Sequence, residues 1–121
     1  MKEQLISFET ARLAKQKGFN EYCYNCYHGK GHLNTAEDNH FEIFSNGDIY
    51  TVAPTQSILQ MWIWETHKIW VQSTPIFTAN ECIGISVTIS SWKFPVITIS
   101  YDGFSVSEGL EEGLYQALKL I

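Results

Sequence analysis

The chain has 121 residues, a formal net charge of −5, and 45% hydrophobic against 17% charged residues. That length suits one domain with a real core, and no apolar run reaches the roughly 18 residues of a membrane-spanning helix. Arg12 is the only Arg, and from Gly31 to His67 there is no Lys or Arg, while Glu37, Asp38, Glu42, Asp48 and Glu65 fall in that span; direct binding of nucleic acid through its phosphates is therefore disfavoured.

The first ten residues carry Lys2, Glu3 and Glu9 without an apolar run of signal-peptide length, and three cysteines are too few for a disulfide scaffold. Both features lead to the expectation of a reducing, cytoplasmic location. Ser7 is placed to cap a helix, Glu9 suits its first turn and Gly18 its end. The spacing predicts a helix over 8–17 with Phe8, Ala11, Leu13 and Ala14 inward. Arg12, Lys15 and Lys17 make a thin basic cluster on it. Tyr22 to Tyr27 is aromatic-rich and reads as a strand, turned by Gly29-Lys30-Gly31.

Phe41–Ser45 and Asp48–Val52 flank Asn46-Gly47, a strong short hairpin signal because a type I′ turn needs positive φ at both central positions. Pro54 and Thr55 open a second helix, predicted over 55–67. Ile58, Leu59, Trp62, Ile63 and Thr66 are expected on its buried face, and His67-Lys68 at its end. Ile69 to Ser73 is a strand. Ile83, Ile85, Val87 and Ile89 alternate with Gly84, Ser86, Thr88 and Ser90, the pattern of a strand buried on one face. Lys93-Phe94-Pro95 is expected to turn the chain into a strand from Val96 to Tyr101, and Asp102-Gly103 to turn it again.

Ser105 and Glu108 form a capping box for a last helix over 106–120. Leu110, Leu114, Ala117, Leu118 and Ile121 give it one apolar face. Gly109 and Gly113 each weaken a helix by about 1 kcal/mol relative to Ala. Close approach to a sheet or to another helix explains their presence. A membrane role for this pair is excluded by Glu111 and Glu112 between them. Short connections between alternating strands favour antiparallel pairing. The expectation is a single α+β domain over 1–121, an antiparallel sheet of about five strands with three helices packed largely on one face.

Chemistry is thinly represented. Cys23, Cys26, His28 and His32 have the ligand types of a zinc site. If the segment is a strand, however, Cys23 and Cys26 point to opposite faces, and Tyr and Asn fill the space where a tight metal-binding turn would sit. No metal and no cofactor are expected. His40, Glu65 and His67 could serve acid–base work, but no spacing forces them together. No phosphate-binding Gly loop, GxSxG or HExxH motif occurs, so no catalytic residue is assigned.

Trp64 falls about 200° around the second helix from Trp62, with Met61 beside it and Trp70 close behind. Either a loop of the chain covers these side chains, or they form an interaction patch, since Trp and Met are enriched in interface cores. The candidate binding residues are Met61, Trp64 and Trp70, and the candidate partner is another protein or a second copy of the chain.

Three stretches, Ile6 to Gly18, Ala53 to Trp62 with His67, and Leu110 to Ile121, together resemble small uncharacterised proteins encoded by phages and prophages of Bacteroides-type bacteria. The resemblance covers the three helices and implies a phage or mobile-element accessory protein in the bacterial host cytoplasm. It implies no activity. The family tends to carry basic or polar residues where this chain has Met61 and Trp64, so the patch is either peculiar to this member or covered by its own residues 74–82. The function expected is protein–protein interaction without catalysis. A small phage-encoded enzyme with an unrecognised site is the alternative, and a nucleic-acid-associated protein a second, disfavoured one.

Overall fold

The computed structural model describes residues 4–21, 23, 25–28, 31–35, 50–101 and 105–121. The elements run α1 (Phe8–Gln16), β1 (Asn25–His28), β2 (His32–Thr35), β3 (Tyr50–Val52), α2 (Gln56–His67), β4 (Trp70–Phe77), β5 (Cys82–Ser91), β6 (Phe94–Tyr101) and α3 (Val106–Lys119). The α+β class expected from the sequence is present. Among the described residues the strands form two three-stranded antiparallel sheets, ordered β2-β1-β3 and β4-β5-β6, in place of one continuous sheet. By packing, the chain divides into Met1–Ile58 and Leu59–Ile121, the division falling within α2. The expected hairpin around Asn46-Gly47 lies outside the described residues except for its last strand, β3, and so does the Asp102-Gly103 turn.

In the first unit, α1 starts where Ser7 Oγ accepts the Thr10 amide at 3.3 Å. It ends at Gly18, whose φ of +100° is open to glycine and strained for other residues. Thr10, Ala11 and Ala14 are its buried residues. Phe8 meets the Tyr27 ring of β1 edge-on at 5.3 Å between centroids, and the Tyr27 hydroxyl donates to the Ile6 carbonyl at 2.7 Å. β1 is the central strand, pairing Cys26 with Asn34 on one side and with Val52 on the other. The strand β2 carries no hydrophobic alternation of its own and was not expected.

In the second unit, β4, β5 and β6 form a meander with β5 central. Val71, Ile89 and Ile97 stand in register across it, as do Ser73, Val87 and Ile99. The alternation along β5 holds, with Ile85, Val87 and Ile89 all at most 1% exposed, whereas Ile83 at its start is 52% exposed. α3 lies on this face. Its N-cap is Ser105, which accepts the Glu108 amide at 3.2 Å. Gly109 and Gly113 face the sheet: a Cβ on Gly109 would stand 2.7 Å from Ile85 Cγ2, and one on Gly113 2.7 Å from Val71 Cγ1. The close approach anticipated for these glycines is therefore made to the sheet. Leu114, Ala117 and Leu118 are fully buried.

Candidate functional site

The end of α2 and the start of β4 build one wall of a groove. The helix buries Leu59, Trp62 and Ile63, and turns Met61 and Trp64 outward at 44% and 41% exposure. Ile58, expected on the buried face, is 42% exposed. It stands about 100° from Leu59 around the helix, outside an arc narrower than its sequence suggested. Thr66, in the last turn, is also exposed.

Lys68 then adopts φ 55°, the left-handed conformation usually given to Gly or Asn at a helix end. Its amide donates to the Trp64 carbonyl at 2.9 Å, closing the helix. The chain reverses there, Ile69 is buried at 3%, and Trp70 opens β4. The Trp64 and Trp70 rings meet edge to face, 6.3 Å between centroids at 83°. Trp70 Nε1 donates to Gln72 Oε1 at 3.4 Å.

The opposite wall comes from β5 through sheet register. Trp70 pairs with Ser90, so the strand's last residues and the β5–β6 turn arrive beside the Trp64–Trp70 pair. The turn is Trp92-Lys93, one residue before the one expected, and Phe94 and Pro95 already belong to β6. Trp92 is 82% exposed. Trp64, Lys68, Trp70, Ser90, Ser91 and Trp92 line an open, mostly apolar groove of about 480 Å³.

Two ammonium groups lie over its indoles. Lys68 Nζ is 5.5 Å from the Trp64 ring centre and Lys93 Nζ 5.8 Å from that of Trp92, both within cation–π reach. Behind the groove, His67 packs edge-on against Trp62 at 5.2 Å. Burial, and secondarily the positive charge of Lys93, holds its imidazole below the usual range. Its Nε2 is buried with no hydrogen-bond partner.

Of the three residues singled out from the sequence, the structure brings Trp64 and Trp70 together. Met61 is exposed on the same side of α2 but does not line the groove. Residues 74–82 do not line it either, because the β4–β5 connection lies at the far end of that hairpin. Lys68, Ser90, Ser91 and Trp92 were missed. A usable signal existed for Trp92, a large aromatic beside Lys at a break between two strand patterns.

The lining offers little chemistry. Its polar groups are two serine hydroxyls, one ammonium and the indole N–H groups, and among the described residues no carboxylate, thiol or imidazole lines it. The cysteine segment is separate. β1 begins at Asn25, and Tyr24, which would join Cys23 to that strand, lies outside the described residues. Both thiols are buried, and burial, assisted by Glu21, pushes the Cys23 thiol up to about 11. Among the described residues, no three His, Cys, Asp or Glu side chains are grouped as metal ligands, and no helix is long and apolar enough to cross a membrane. No protein-family model matches the sequence, and neither the curated proteins nor the solved structures contain a significant match.

Proposed function

We propose that this chain works by binding another protein, and that the groove between Trp64, Trp70 and Trp92 is where it does so. One observation carries the reading: Trp92 and Trp64, at 82% and 41% exposure, flank a common hollow with Trp70. Large exposed apolar side chains clustered in this way are characteristic of interaction sites, and Trp is the residue most enriched among binding hot spots. Met61 extends the apolar surface along the outer side of α2. The mostly apolar lining, without an acid–base pair, suits binding better than catalysis.

Nucleic acid is the poorer fit. Indoles can stack on bases, but backbone binding needs a track of cations, and here two ammonium groups stand in a chain of net charge −5. The helical resemblance to phage and prophage proteins supports a role as a mobile-element accessory protein in the host cytoplasm.

A photo-crosslinking residue at Met61, outside the groove lining, tests the reading in the producing cell. The expected result is a protein adduct that disappears when Trp64→Lys is added. Adducts to nucleic acid alone, or a protein adduct indifferent to Trp64→Lys, would refute it.

A further inference from the structure

Building on the protein-binding reading, we infer that the occupant of this groove is an extended peptide segment of the partner carrying proline next to an acidic residue. The shape argues for the proline. Trp64 and Trp70 meet nearly at right angles, so their faces form a corner, and Trp92 supplies a further apolar surface beside it. Rigid pyrrolidine rings of an extended polyproline-type chain pack into aromatic-lined grooves of this kind, and their preformed backbone loses little entropy on docking.

The charge argues for the acid. Among the described residues the only charged one in the lining is Lys68, and Lys93 stands at the Trp92 end, close enough to lower the His67 pKa. Without a peptide, both ammonium groups rest on indole faces. Such contacts are weak at exposed sites. A carboxylate entering the groove draws an ammonium into a charge-assisted hydrogen bond and bares the indole face to the neighbouring proline. Two cations match one or two carboxylates; they do not match a polyphosphate chain.

The backbone supplies an independent argument. Lys68 holds φ 55°, a conformation that glycine adopts at no steric cost and other residues adopt under strain. A lysine at the helix end where glycine is the stable choice is accounted for by its ammonium group in the groove. Strained backbone of this kind clusters at ligand clamps.

The experiment uses the full chain and an array of blocked octapeptides with proline, aspartate, asparagine, lysine and alanine placed in a Gly-Ser background. Binding is read by tryptophan fluorescence and by the indole NH signals in NMR. Peptides with adjacent proline and aspartate should shift the Trp64, Trp70 and Trp92 signals and leave Trp62 largely unmoved. Aspartate→asparagine or proline→alanine in the peptide should weaken binding by about fivefold or more, as expected for losing a charge-assisted bond or an anchor.

Lys68→Gly should raise the thermal midpoint while weakening the acidic peptide, and Lys68→Arg should keep its binding. Equal binding of aspartate and asparagine peptides, preference for the lysine peptides, or unchanged binding by Lys68→Gly would overturn the inference. So would a Trp64-dependent dimer that excludes every peptide, or tighter binding of a thymidine oligonucleotide. If no peptide binds while the Met61 cross-link still captures a protein, this inference falls and the protein-binding reading stands; loss of both removes both.

Discussion

A Cβ placed on Gly113 would stand 2.5 Å from Val87 Cγ1, closer than real side chains approach. Val71 Cγ1 closes the other side at 2.7 Å. Both valines are fully buried in strands and, being β-branched, have little rotameric freedom with which to yield. Gly113→Ala gains about 1 kcal/mol of helix propensity but forces α3 away from the sheet, and overpacking of this type costs about 1–3 kcal/mol. The expected outcome is net destabilisation of up to about 2 kcal/mol, read as a lower urea midpoint. An unchanged or higher midpoint would show that α3 can shift freely.

Ser73 is a second test of the same contact. Its Oγ is buried without a hydrogen-bond partner and lies 2.7 Å from where a Gly109 Cβ would be. An unpaired buried hydroxyl is costly, so Ser73→Ala should be neutral or stabilising by up to about 1 kcal/mol. Gly109→Ala should destabilise, and less so in the Ser73→Ala background, because one of its two closest obstacles is then gone. A double-mutant cycle with no coupling would refute that contact.

Leu114 is 0% exposed on the α3 face against the sheet. Leu114→Ala should cost about 2–4 kcal/mol through lost burial and an unfilled cavity. A negligible change in denaturation midpoint would mean that α3 contributes little to the fold.

The sequence spoke most clearly where one period dominates. The α3 face, its Ser105 cap and the β5 alternation were legible because a single apolar side forces a single register. The second helix was less so: its outer side carries Ile58, Met61 and Trp64, and apolar residues on both sides blur the buried arc. Trp64 and Trp70 were legible as a pair because they lie six residues apart across a helix end. Trp92 was not, since it reaches the groove only through the Trp70–Ser90 register, a pairing that no local pattern specifies. Lys68 was hidden for another reason. Left-handed helix ends are recognised by glycine, and here a lysine occupies the position.

His67 should make stability pH-dependent. Burial, then Lys93, keeps its folded pKa below the ordinary 6.5. The unfolded chain therefore takes up the proton first as pH falls. This contribution is fully present above about pH 6.5, is lost as pH falls through that value toward the folded pKa, and changes no further below it. Urea midpoints of the parent protein and of His67→Gln should converge or diverge only within that window, with the parent showing the steeper acid loss. Lys93→Ala should shallow the parent's slope. Parallel curves for parent and His67→Gln would sink the assignment.

Trp64→Lys separates surface from core. Trp64 is 41% exposed, its ring stands nearly perpendicular to that of Trp70, and the Lys68 ammonium lies over it. Replacing it should leave the fold standing, with a stability change of about 1 kcal/mol or less as at other exposed positions. The groove would lose one wall and gain a third cation beside Lys68 and Lys93. Binding through it should fall by a factor corresponding to about 2 kcal/mol or more, the scale of a Trp hot spot. The contrast with Trp62 makes the test sharp. Trp62 is 9% exposed and packs on His67, so Trp62→Lys should unfold the unit by burying an unpaired charge. Circular dichroism with urea titration reads the first expectation, and peptide or partner binding the second. Should Trp64→Lys unfold the protein as Trp62→Lys does, Trp64 belongs to the core and the groove loses its main anchor.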